Sequence, residues 1–269
     1  MPTTPAELAR TLQIMVTTRD GPARAPRLRL LRSIPAAIRI QTIVDALPRT
    51  KHARWELPFI LHRIATPAMP GFHGVFTGLL TDPDPGVREG AAEVLSNRPP
   101  WAATLVPALA SMVAIELPRK RGTLAIGEAL RALAAAQTKE AEAVLVGLRR
   151  RRFALPWYRA QWLHALAHYR SPAAKRVLAA FSNANDLSMR TSALGGLVRN
   201  GDRRALASLR ALLDITPVER ACNVAWDVHF VLKVPLAIDE AQLVRLKKWW
   251  DAHPEQIEKR FRAAHKKPT

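Results

Sequence analysis

A chain of 269 residues with 48% hydrophobic content holds enough apolar material for a large core, which excludes disorder as its main state. Its single cysteine, Cys222, excludes an internal disulfide framework and a cysteine-rich zinc site, so stability must come from packing. The balance of 41 Lys and Arg against 22 Asp and Glu gives +19, a charge that favours polyanionic partners through long-range attraction and counterion release.

No apolar run reaches the roughly 20 residues needed to cross a bilayer, and the opening MPTTPAELARTLQIMVTT lacks the zones of a secretory signal. The expectation is a cytoplasmic protein without a transmembrane segment. From the start of the chain, Ala6 to Thr17, Pro35 to Leu47 and Ala53 to Ala65 carry apolar residues at helical spacing and predict three helices within a divergent N-terminal region, residues 1–71. Asp82-Pro83-Asp84-Pro85-Gly86 then supplies breakers and an N-cap.

Beyond Gly86 the chain is periodic. Val87-Arg88 is followed by Ala91 and Leu95, an apolar residue three after the arginine and a leucine seven after. Tyr158-Arg159 with Trp162 and Leu166 repeats the pattern, and so does Met189-Arg190 with Ala193 and Leu197. Arg220 opens a weaker copy in which Asn223 and Asp227 replace the apolar pair. These arginines lie 71, 31 and 30 residues apart, and GTLAIGEALRAL (122–133) fills the wide gap without the arginine of the repeat. Between the copies, Trp101 to Ile115, Lys139 to Leu148, Ala173 to Phe181 and Arg204 to Leu213 predict further helices. Each repeat is thus a helix pair whose second member carries the arginine. Asn183 to Asp186 and Asn200-Gly201-Asp202 supply boundaries, and nothing alternates with a period of two. Repeats over residues 72–232 give way to closing helices at Ile238 to His253 and Pro254 to Ala264, within a basic C-terminal region, 233–269.

DPDPGVREGAAEVL and MRTSALGGLVRNGDRRALASLRALL resemble HEAT repeats of the short bacterial, lyase-associated type. That resemblance implies an all-α solenoid of stacked two-helix repeats, with first helices outside and second helices lining a concave face. It also implies a module for holding a protein, a peptide or a nucleic acid rather than an enzyme. The apolar stripe of one pair needs a neighbour, so Ala91, Leu95, Trp162, Leu166, Ala193 and Leu197 are expected in a shared core. The recurring arginines are expected to tie down turns, through acids such as Asp84 and Asp186 or through neighbouring carbonyls.

Charge is unevenly distributed. Residues 1–70 carry +7, 71–117 carry −3, 118–210 carry +13 and 211–269 carry +2. Arginine spread by coding bias would be more even. Turns within successive repeats fall on one edge of a stack, about 8–10 Å apart. Two consecutive turns are basic: Arg119, Lys120 and Arg121, then Arg149, Arg150, Arg151 and Arg152. Stacking would merge them into one ridge, with Arg159 behind it and Trp157 and Tyr158 placed for stacking on bases. A solvated charge run is the bland alternative. The basic stretch LVRLKKWWDAHPEQIEKRFRAAHKK holds adjacent tryptophans, Trp249 and Trp250, that a helix points about 100° apart, so one is expected to be partly exposed.

His164 and His168 are spaced for a metal but lack a third ligand, and they read as surface histidines on the concave side. Cys222 reads as core packing. The pairs Glu140 with Glu142 and Asp239 with Glu240 lack a convergent site. No catalytic residue, metal or cofactor is expected. The chain also resembles HEAT-like alkylpurine DNA glycosylases in repeat type, charge and its seven tryptophans. That resemblance implies a catalytic Asp on a concave helix beside aromatic residues, yet no Trp is followed by Asp one helical turn later, and only Asp227, beside Trp226, is a tolerable substitute. Three readings therefore stay open: a non-enzymatic adaptor for another protein with an acidic surface, a nucleic-acid-binding solenoid, and a glycosylase.

Overall fold

In the computed structural model the described residues are 5–17, 24–46, 50–120, 123–215 and 242–265, and among them there are sixteen α-helices and no strand. The chain divides into two compact units, Met1–Ala141 and Glu142–Thr269. Each is a stack of helix pairs, so the fold is the expected all-α, solenoid type.

The first unit contains α1 (Pro5–Thr17), α2 (Arg24–Ser33), α3 (Ala36–Ala46), α4 (Lys51–Ile64), α5 (Phe72–Leu80), α6 (Pro85–Ser96), α7 (Pro99–Thr104), α8 (Val106–Glu116) and α9 (Ala125–Ala136). Sequence periodicity does not reveal α2. Five of its ten residues are Arg or Pro, and the remainder leave only a weak apolar stripe to detect. α4 starts where the Thr50 side chain accepts the Ala53 N–H, and α6 where Asp84 accepts the Gly86 N–H at 2.8 Å. The stretch Trp101 to Ile115, expected as one helix, is two. Pro107 has no N–H to continue the ladder and its ring crowds the preceding turn, so the chain breaks at Leu105 before α8 begins.

Packing obeys the two-helix repeat. α5 and α6 form one pair and α8 and α9 the next, with α6 packed along α9 on one side and against α4 on the other. The stripes that meet there include Val87, Ala91, Leu95, Ala129 and Leu133, all buried. Close approach is possible because Gly90 lacks a side chain: a Cβ there would lie 3.2 Å from the Phe59 ring. Phe72, Phe76 and Trp101 form a buried aromatic cluster, with Trp101 edge-to-face at 5.1 Å from Phe72 and 5.8 Å from Phe76 between ring centroids.

The second unit contains most of α10 (Lys139–Gly147), a 3₁₀ turn (Leu148–Arg150), α11 (Pro156–Leu166), α12 (Pro172–Phe181), α13 (Leu187–Arg199), α14 (Arg203–Ile215), α15 (Gln242–Ala252) and α16 (Pro254–His265). Ser171 and Asp186 are the N-caps of α12 and α13, as their side chains accept the Ala174 and Met189 N–H groups at 3.0 and 2.9 Å. α13 packs on α11, α12 and α14. The expected core residues Trp162, Leu166, Ala193 and Leu197 are buried, and the Trp162 indole N–H donates to the Leu145 carbonyl at 2.7 Å. α13 comes so near its neighbours that a Cβ on Gly196 would sit 2.8 Å from Ala167 Cβ and 2.9 Å from Leu178 Cδ1.

α15 and α16 close the unit. α16 lies against α13 and α15 against α14, with Arg210 on Asp251 at 2.6 Å and Arg203 on Glu258 at 2.5 Å. Trp250 is buried, whereas Trp249 is half-buried and stacks on His253 with 5.2 Å between centroids. That is the division that the 100° offset requires. No helix among the described residues is long and apolar enough to cross a membrane.

Candidate polyanion-binding surface

The repeating arginines share one geometry. Each reaches back to the residue six before it, in the turn that joins the two helices of its pair. Arg88 Nη1 donates to the Asp82 carbonyl, Arg190 Nε donates to the Ala184 carbonyl at 2.8 Å, and the Arg159 guanidinium lies over the Phe153 ring, 5.4 Å from its centroid. The carbonyl role expected for Arg88 and Arg190 is therefore present. The acids differ from expectation, because Asp84 and Asp186 serve as N-caps. Arg88 is paired instead with Glu116 of α8, through Nε at 2.8 Å and through Nη2, and both residues are fully buried. Thr123 Oγ1 donates to the other Glu116 oxygen at 2.9 Å. A charge taken out of water survives only with such a partner, so this pair fixes α6 against α8.

Arg159 obeys the same rule with an aromatic ring in place of a carbonyl. Phe153 also packs on Trp162, at 5.5 Å, so the guanidinium seals the turn against the core.

That leaves the basic turns. In the first unit Arg119 lies 3.6 Å from Glu116 and is partly neutralised, Lys120 is exposed, and Arg121 lies outside the described residues. In the second unit Arg149, Arg150, Arg151 and Arg152 are all exposed, and among the described residues no carboxylate lies within ion-pair distance of them. The 3₁₀ turn accounts for their exposure: Leu148 faces the core, its carbonyl accepts the Arg151 N–H at 2.9 Å, and the arginines occupy the outward positions. The second helices of the first unit also carry acidic residues. Glu89 and Glu93 of α6 and Glu128 of α9 lie near one another: burial, reinforced by Glu93 and Glu116, raises the Glu89 carboxyl above the usual range, and burial raises that of Glu128 although Arg131, its ion-pair partner, opposes the rise.

Of the two aromatics expected to stack on bases, Tyr158 is fully buried and presents no face to a ligand. Its position two residues after Pro156 turns it into the core, 4.3 Å from the Trp157 ring between centroids. Trp157 is half-exposed. Along α11 it begins a stripe of which sequence reasoning finds only part: Trp157, Gln161, His164 and His168 recur at intervals of four, three and four, which puts them on one side of the helix and its closing turn. All four are half-exposed, opposite the buried Trp162 and Leu166. The two imidazoles are 5.9 Å apart, edge to face, and the buried Gln161 Oε1 has no hydrogen-bond partner among the described residues. Gln161 escapes sequence reasoning, since a lone glutamine carries no signal until the rings on either side of it are placed.

Glu142 accepts a hydrogen bond from Ser171, and Glu140 is exposed beside it on α10. Among the described residues no three His, Cys, Asp or Glu side chains are grouped as metal ligands. Arg220, Cys222, Asn223, Trp226, Asp227, Asp239 and Glu240 lie outside the described residues.

The fold and its cationic turn define an all-α helical-repeat protein with an exposed arginine cluster. No family model matches the chain, and no curated protein sequence matches it either. Among solved structures it is similar to the CpcE and CpcF complex of phycocyanin lyase from Nostoc sp. PCC7120, at 18% identity and a TM-score of 0.44 over 93% of this chain and 94% of that one. Two engineered proteins are also similar, each at 18% identity over 96% of this chain. One has a TM-score of 0.43 over 77% of its own length, the other a TM-score of 0.31 over 97%.

Proposed function

We propose that this chain is a non-catalytic interaction scaffold of HEAT-like repeats, which holds an anionic macromolecule on its cationic turns. The observation that carries this reading is the Arg149–Arg152 turn: four adjacent exposed guanidiniums with no carboxylate partner among the described residues. Like charges this close repel one another, and an anionic partner relieves the repulsion with bidentate contacts suited to arginine. Arg119 and Lys120, with Arg121 next in sequence, supply further cations to the same reading. Arg159 supports the surface through Phe153 by holding the turn in shape. Acidic protein segments and nucleic acids both offer the required chemistry.

The test is binding of a soluble polyanion by the purified chain at low salt. Retention on immobilised heparin should require several hundred millimolar salt to overcome, and replacing Arg149 to Arg152 with alanine should shift elution to markedly lower salt. A quadruple variant that elutes with the native chain would remove the turn from the reading, and a native chain that flows through at low salt would end it.

A further inference from the structure

Resting on that reading, we infer that the second unit binds single-stranded nucleic acid, with phosphates on the Arg149–Arg152 turn and bases along the Trp157, Gln161, His164 and His168 stripe of α11. The two features are parts of one short segment. The turn leads directly into α11, and the stripe starts at the second residue of that helix.

Two properties of the stripe favour this partner over an acidic protein. Its rings are half-exposed on a rigid helix whose opposite face is locked into the core by Trp162 and Leu166, so they can be covered by flat ligands at small entropic cost. An acidic peptide would satisfy the arginines and gain little from an indole and two imidazoles. A single strand uses both, since every base has a π-face and an edge of donors and acceptors. Gln161 lies between the rings on the same side of α11, and its side-chain amide carries a donor and an acceptor of the kind that a base edge pairs with. From Trp157 to the end of α11 at Leu166 the helix climbs about 14 Å at 1.5 Å per residue, room for roughly four stacked bases at about 3.4 Å each. Duplex DNA fits less well, because its bases are already stacked on one another and offer no free faces.

The test is fluorescence anisotropy with a labelled 12-nucleotide mixed-sequence strand, as DNA and as RNA, beside the same DNA as duplex and a labelled polyglutamate peptide. The full chain should bind the single strands more tightly than the duplex, and a preference between DNA and RNA would identify the source of the strand. Log affinity should fall with log salt by about 0.7 per phosphate contact, and changing Arg149 to Arg152 to alanine should flatten that slope by about 3. The lysine version, which keeps the charge, should retain the slope and shows whether the alanine variant merely misfolds. Trp157→Leu keeps apolar bulk on α11 without an extended π-face and should weaken single-strand binding about tenfold at unchanged slope. Tighter binding of duplex than of single strands, or full affinity in Trp157→Leu, would overturn the inference. Binding of polyglutamate alone would overturn it too and leave the scaffold reading intact, whereas binding of none of the four would sink both.

Discussion

Arg88 and Glu116 are a pair that water cannot reach, and their contribution lies in what happens when one is removed. Changing Glu116 to Ala leaves a buried guanidinium with only the Asp82 carbonyl, and should lower stability by about 3–5 kcal/mol in urea denaturation. Replacing both with apolar residues, Arg88→Met with Glu116→Leu, should recover most of that loss. His62 gives a second test. Burial, followed by repulsion from Arg98 and Arg63, holds its folded pKa below the ordinary 6.5. The unfolded chain therefore takes up this proton first as pH falls, so the stability is complete above about 6.5 and is lost as pH drops through the folded value. Glu89 and Glu128 act in the opposite sense. Their folded pKa values are raised above 4.5, so the folded state takes up their protons first and gains stability as pH falls through that lower window. The urea midpoint should drop between pH 7.5 and pH 5.5, and His62→Phe, which can keep an edge-to-face contact with Trp101, should drop less.

Helix α13 shows how the stack is held. It is buried from Thr191 to Val198, and at Gly196 it comes closer to its neighbours than a side chain would allow. Gly196→Ala would drive a methyl into Ala167 and Leu178 and should cost about 1–3 kcal/mol, although alanine is the better helix former. The same change at Gly78, exposed on α5 with nothing within 4 Å of the added Cβ, should stabilise by about 0.5–1 kcal/mol. Opposite signs in thermal melts would place the close packing at α13; a neutral Gly196→Ala would show that α13 has room to move. Sequence reasoning finds most elements because capping and periodicity are local: Asp84, Asp186 and Asn200-Gly201-Asp202 mark boundaries wherever they occur. It misses α2, whose arginines and proline obscure the stripe, and it runs through Leu105, where a single proline outweighs the apolar pattern on either side.

Across the chain, the arginine period of about 30 residues and the excess of charge in 118–210 are both legible in the order of residues alone. They determine that helices pair and stack, since an amphipathic pair cannot bury its stripe alone, and that exposed cations gather in the turns. What each charged or aromatic group does is decided only in three dimensions. Arg88 finds its carboxylate 28 residues away on α8, Arg119 is drawn to the same acid, Tyr158 turns inward while Trp157 stays at the surface, and Gln161 falls between Trp157 and His164. The reason is one of range. Periodicity and capping depend on residues within a turn or two of each other, whereas burial and ion pairing depend on which neighbours the folded stack brings within a few ångströms, and a linear order of residues does not contain that distance.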